Sequence, residues 1–226
     1  MPRKIGANCA EIIRNYRYYN WQHSQYSWII ILAATILFLF LQVTHANQPL
    51  GPFMPIIGPT EPPQGHVEFC KENSTLCNTL EPTPLVVRLT KSRWRELTTI
   101  NNQVNKSIAP VSDKELYGTS EYWTFPSLGT GDCEEYVLEK QRRLHAIGWP
   151  SSALLITVVK DMNNTGHAVL TVRTDQGDII LDNQTKDILP WYSTPYRYVK
   201  RQSARHPAKW SAISDKRVTT VASIPR

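Results

Sequence analysis

The chain has 226 residues, 41% of them hydrophobic, and a formal net charge of +6. That length holds one domain with a real core plus extensions, and excludes a string of several domains. The charge sits at the two ends: Arg3, Lys4, Arg14 and Arg17 against Glu11 before residue 47, and a run of basic residues from Arg197 to Arg226 against Asp215. With no zinc-finger spacing, RNA-binding strand motif or Walker loop, nucleic acid is not an expected partner.

Residues 1–27 are polar, aromatic and net positive, and Trp28 to Leu41 is an almost unbroken apolar run. The run is short for a bilayer span, which needs about 20 residues, and suits a signal-peptide core. Thr44-His45-Ala46 supplies small residues for cleavage after Ala46. The expectation is a signal peptide over 1–46, with an uncleaved signal anchor as the alternative. Either way, positive charge before the run places residues 47–226 outside the cytoplasm. Residues 47–68 are proline-rich and read as an extended lead-in. Cys70 and Cys77 follow, and in an oxidising compartment they are expected to form a local disulfide. Cys9 lies in the signal segment, which leaves Cys133 as the odd cysteine of the exported part. Such a cysteine pairs with another chain or is a reactive thiol.

Pro84 to Leu89 reads as a short strand. Thr90 caps a helix over Lys91–Ser107, where Trp94, Leu97, Val104 and Ile108 follow helical spacing. Pro110 ends it. Val111 to Phe125 reads as an aromatic loop, with Trp123 as a wall beside Cys133. In Gly131-Asp132-Cys133-Glu134-Glu135-Tyr136, Asp132 is an N-cap and Glu135 completes a capping-box spacing. Cys133 therefore opens a helix that runs to Ala146, with Gly148 beyond its end. Unpaired N–H groups and the helix dipole at that end favour a thiolate, the nucleophilic form. A capped helix with an inert buried cysteine is the plain alternative. Strands are expected over Ala153–Val159, Ala168–Val172 and Asp178–Asn183, with a further one over Tyr196–Lys200. Past Gln202 the sequence reads as a basic tail.

A cysteine nucleophile needs a base and a group to orient it. His66 lies in the lead-in and His206 in the tail. His145 is about 18 Å along the helix from Cys133, out of reach. His167 survives the elimination. Asp182 ends the following strand. A four-residue Arg173–Gln176 loop would pair Val172 with Gly177 and Leu170 with Ile179, and would set His167 opposite Asp182.

Tyr122-Trp123, the Gly131–Tyr136 hexapeptide, Gly166-His167-Ala168-Val169-Leu170 and Leu181-Asp182-Asn183 together resemble the bacterial transglutaminase-like cysteine peptidases, relatives of the LapG-type periplasmic proteases. The resemblance covers about residues 69–203, with 204–226 left as the tail. It implies an α+β, papain-like or transglutaminase-like fold, in which the cysteine-bearing helix packs on an antiparallel sheet. It implies Cys133 as nucleophile, His167 as base and acid, and Asp182 as orienting carboxylate. It also implies calcium beside the cysteine, held by Asp132, Glu134 and Glu135, although Glu135 stands where the family commonly has aspartate. A cation there makes physical sense, because the flanking carboxylates disfavour a thiolate. The implied substrate is a protein, in LapG-type systems a surface adhesin, with an inner-membrane receptor restraining the protease. Transglutaminase-type acyl transfer uses the same residues, and a non-catalytic periplasmic binding module on the same fold is the reading of a different class.

Overall fold

The structure is a computed structural model that describes residues 50–78, 85–126 and 128–217. The signal segment, Cys9 and the start of the Pro84–Leu89 stretch lie outside the described residues. In chain order come β1 (Ile56–Thr60), α1 (Gln64–Glu72), α2 (Ser74–Cys77), α3 (Lys91–Ser107), β2 (Ala109–Pro110), α4 (Asp113–Tyr117), β3 (Thr130–Gly131) and α5 (Cys133–Ala146). Then follow β4 (Leu154–Lys160), β5 (Gly166–Thr174), β6 (Gly177–Leu181), β7 (Leu189–Pro190), β8 (Arg197–Ser203) and β9 (His206–Ile213). The two long helices have the ends their caps dictate. Thr90 Oγ1 accepts from Arg93 N (3.2 Å), and Gly148 takes φ +88° just past α5.

Seven strands form one antiparallel sheet in the order β1-β9-β8-β4-β5-β6-β7. Three stretches differ from the sequence expectation. Part of the proline-rich lead-in is β1, and it pairs with β9 at the sheet edge, where proline's missing N–H is tolerated. The start of the basic tail is β9, whose Trp210 and Ile213 are buried. Around Val87 there is only a bridge to Thr174. The aromatic loop holds α4, capped by Ser112 and Glu115. The Cys70–Cys77 disulfide is present and staples α1 to α2.

The β5–β6 hairpin departs from the expected register. Thr174 pairs with Gly177, Val172 with Ile179 and Leu170 with Leu181, around a two-residue Asp175-Gln176 turn. Both registers keep apolar residues together, so hydrophobic pattern alone does not choose between them. The turn and its packing choose. Gly177 takes φ +123°, and a Cβ there would lie 2.5 Å from the Pro52 carbonyl oxygen. That same carbonyl accepts from Asp178 N (2.8 Å).

Alternation along the strands sends Ala168, Leu170, Val172 and Leu181 to one face, where they pack with Leu97 of α3 and with Val137, Leu138 and Leu144 of α5. Val169 and Ile180 face the other way, against Met54, Trp191, Tyr196 and Tyr198.

His66 is buried between Trp123 and Trp210, ring centroids 5.4 and 5.2 Å away. Trp210 Nε1 donates to its Nδ1 (3.2 Å), and the Gln202 amide nitrogen lies 3.0 Å from its Nε2. Trp210 thus claims the Nδ1 lone pair, and a proton added there would displace that hydrogen bond. Burial lowers the pKa of His66 to about 4. The unfolded histidine, near 6.5, takes up a proton first as the pH falls, so this contribution to stability is lost between pH 6.5 and 4. From pH 7 to 5 the loss is about 2 kcal/mol. Chemical denaturation at the two pH values should show it, and His66→Phe should remove that part of the slope.

Candidate active site

Cys133 is the first residue of α5, and Glu135 Oε2 accepts from Asp132 N (2.9 Å), as the capping-box spacing requires. The Cys133 residue is half-buried. Sγ donates to Glu134 Oε2 (2.9 Å). The Ala168 N–H points at the sulfur from β5, one residue beyond His167. Burial pushes the thiol pKa well up, the Glu134 carboxylate adds to it, and the Ala168 N–H opposes them. The helix N-terminus is therefore outweighed locally: in this arrangement Cys133 is a thiol.

His167 stands on β5, and Asp182 lies one residue past the end of β6. In the observed register Asp182 falls level with Val169, two residues from His167 on the same face. Diagonal neighbours of that kind are within reach of long side chains, and His167 Nε2 meets Asp182 Oδ1 at 2.9 Å. The two residues are brought together despite the changed register. Tyr196, which the sequence did not single out, donates its hydroxyl to Asp182 Oδ2, and Gln184 N donates to Oδ1 (3.0 Å). Burial alone would raise the Asp182 carboxyl, but the His167 and Tyr196 hydrogen bonds outweigh it and hold the group ionised. With Nε2 on Asp182, Nδ1 is the ring nitrogen that Asp182 leaves free.

A second cluster lies at the same helix end. Asp113, Asp132 and Glu135 bring one carboxylate oxygen each within 4.8 Å of one another. Asp113 was missed by the sequence reading, because nothing local marks an aspartate at the start of a one-turn helix as a partner of residues 132 and 135. Asp113 N donates to Asp132 Oδ2 (3.3 Å), while Asp113 Oδ1 and Asp132 Oδ1 are buried without a hydrogen-bond partner. Burial raises the Glu135 carboxyl to about 8. Glu134 turns instead toward Cys133 and Asp132, and burial followed by Asp132 raises it to about 9. Gly131 makes room for Glu135, since a Cβ there would lie 2.6 Å from Glu135 Cβ and Cγ. Gly131→Ala is expected to destabilise the protein by about 1–3 kcal/mol in thermal unfolding, by forcing Glu135 off the Asp132 and Thr124 N–H groups.

Trp123 is not a wall of this site. It is buried against Gly65 and His66, and the exposed rings nearby are Tyr117 and Tyr122, 4.6 Å apart.

Residues 56–218 match the family described as bacterial transglutaminase-like cysteine proteinase. Among solved structures, calcium-bound Legionella pneumophila LapG is 24% identical, with a TM-score of 0.46 over 59% of this chain and 74% of that one. EGTA-treated Legionella pneumophila LapG is 27% identical, with the same TM-score of 0.46 over 54% of this chain and 72% of that one. No curated protein sequence matches the chain significantly.

Proposed function

We propose, the chain being a member of the bacterial transglutaminase-like cysteine proteinase family and hence a cysteine peptidase, that Cys133 is its nucleophile, His167 its general base and acid, and Asp182 the carboxylate that orients His167. One observation carries this reading: the buried His167–Asp182 pair at 2.9 Å, set beside the strand N–H that points at the Cys133 sulfur.

In the reaction His167 Nδ1 takes the thiol proton as Sγ bonds to the substrate carbonyl carbon. The Cys133 N–H, free of an intrahelical partner at the helix start, donates to the developing oxyanion. The imidazolium then gives its proton to the leaving amine as the C–N bond breaks. His167 next takes a proton from water, whose oxygen attacks the thioester, and returns it to Sγ as the C–S bond breaks. For this to start, the thiol must leave Glu134. Asp182 and Tyr196 keep the ring in the tautomer with Nδ1 free.

The donor set at Asp113, Asp132 and Glu135 fits calcium: three hard carboxylates, two buried oxygens without partners, and a carboxyl whose pKa is raised by burial. When bound, calcium supplies positive charge that offsets the carboxylates around Cys133. Glu134 would complete the site from the thiol side. The full reading adds export by the 1–46 segment, periplasmic action on a surface protein such as an adhesin, and restraint by an inner-membrane receptor. The family resemblance supports these, and the Cys70–Cys77 disulfide suits an oxidising compartment. No helix among the described residues is long and apolar enough to cross a membrane.

The test is iodoacetamide labelling of Cys133 from pH 5 to 9 in the full chain, with calcium and with EGTA. Fast labelling near neutral pH with calcium is expected. Labelling that follows an ordinary thiol, at the same rate in both, would move the assignment to the binding-module alternative.

A further inference from the structure

Asp182 lies outside regular structure. The β5–β6 ladder ends at the Leu170–Leu181 pair, so the residue that meets His167 opens an irregular stretch leading to β7. Asp182 is buried (1% exposed), and a buried main-chain carbonyl needs a donor. The donor comes from α3. Asn105 Nδ2 reaches the Asp182 carbonyl oxygen at 2.8 Å, across 77 residues of sequence. Asn105 Oδ1 is itself buried and meets no hydrogen-bond partner. The amide is therefore turned to serve the Asp182 carbonyl while its own oxygen goes unsatisfied.

The other holds on Asp182 act on its carboxylate. Gln184 N, 3.0 Å from Oδ1, belongs to the same irregular stretch and moves with it, and the Tyr196 hydroxyl holds Oδ2. Asn105 holds the main chain. The turn of α3 that carries it is fixed in its turn to the cysteine side of the site. Tyr136 of α5 donates its hydroxyl to the carbonyl of Ile108 (2.6 Å), three residues past Asn105. Val104, Ile108 and Tyr136 pack together as one buried cluster. Beyond Ile108 the chain enters β2, where Ala109 pairs with Thr130 and Pro110 with Gly131, the two residues before Asp132 and Cys133. One short stretch, residues 104–110, thus touches both the helix that presents Cys133 and the residue that holds His167.

We propose that Asn105 is a positioning residue of the peptidase: it fastens the Asp182 main chain to the end of α3 and so fixes the His167–Asp182 pair relative to Cys133. This rests on the assignment of Cys133, His167 and Asp182 made above. Asn105 acts through the Asp182 carbonyl, so it sets where the carboxylate lies and adds no charge to the site. Without it the buried carbonyl loses its donor, the 182–188 stretch shifts to find another, and His167 follows its carboxylate. A displacement of about 1 Å in such a constellation costs up to about 10²-fold in rate.

In the full chain, Asn105→Leu keeps the volume and removes the donor. Its kcat should fall about tenfold with KM unchanged. The control is Asn101→Leu, one turn earlier on α3, where both amide atoms are buried without partners. That variant should keep the wild-type kcat and an equal or higher Tm, since it removes buried polar atoms that bond nothing. Equal losses in the two variants would assign the effect to α3 packing and overturn the proposal, as would an unchanged kcat in Asn105→Leu. The second readout needs no turnover. The His167 Nε2 proton is drawn downfield by the Asp182 carboxylate at 2.9 Å. Well below Tm, its resonance should move upfield in Asn105→Leu and stay in place in Asn101→Leu. Asn105→Ser, too short to reach the carbonyl, should give the same shift and serves where the leucine variant does not fold. An unmoved resonance overturns the proposal and leaves the assignment of the three site residues intact. A moved resonance in a protein that cleaves nothing supports the positioning role and counts against the peptidase assignment alone.

Discussion

His167→Ala is expected to lower kcat/KM for peptide hydrolysis by about 10³-fold, and Cys133→Ala to abolish it. The magnitude follows from what His167 does in this geometry. Cys133 is a thiol, with its pKa raised by burial and then by Glu134, so little thiolate forms unless a base takes the proton. In the proposed assignment His167 is that base, with Asp182 on Nε2 at 2.9 Å. Asp182→Asn should cost nearly as much, because the amide would present either a donor to Nε2 or a weaker acceptor. It would also leave the Tyr196 hydroxyl without its carboxylate partner. Residues that act as a unit are not additive, so the double variant His167→Ala/Asp182→Asn should be little worse than His167→Ala. Iodoacetamide labelling of the three variants separates the steps: removal of His167 should slow the thiol, while a substrate-binding defect would leave it unchanged. Turnover within a few-fold of wild type in His167→Ala would end the assignment.

Calcium is expected to raise the stability of the protein, by about 2.7 kcal/mol at a hundred times its Kd, and EGTA to take that gain away. The sign of the pH effect is set by the carboxylates. Glu135 is held at about 8 by burial, with the charges of Asp132 and Asp113 adding to it. The folded state therefore binds protons that the unfolded state has lost. Its cation-free stability should fall as the pH rises from 4.5 toward 8. Bound calcium replaces the proton as the counter-charge, so its effect on Tm should grow across the same range. Asp113→Asn keeps the size and removes one charge, and should weaken calcium binding at least tenfold, or about 1.4 kcal/mol. Magnesium, which demands a tighter octahedral shell, should substitute poorly. Equal Tm values in calcium and EGTA at every pH would remove the metal from the proposal.

The features legible in the sequence are the ones a few neighbouring residues determine. Asp132 and Glu135 set the start of the cysteine helix, and Thr90 and Pro110 bracket the helix before it. The odd cysteine, the pair at 70 and 77, and four short motifs in order were enough to point to the family. Each of these is a cap, a period or a spacing, and its energy is paid within one or two turns of chain. The tertiary structure decided the rest. The hairpin register depends on Gly177 fitting against Pro52, more than a hundred residues away, and on a turn whose competitors keep the same faces apolar. Trp123 looked like a site wall beside its neighbour Tyr122, yet packing against Gly65 and His66 drew it into the core. Asp113 joins Asp132 and Glu135 only because β2 lies beside β3 and carries α4 to the end of the cysteine helix. The tail became β9 because Trp210 found a buried partner in His66. Local sequence determines helices and motifs because their interactions are short-range; charge state, register and convergence come from segments that meet only when the core forms.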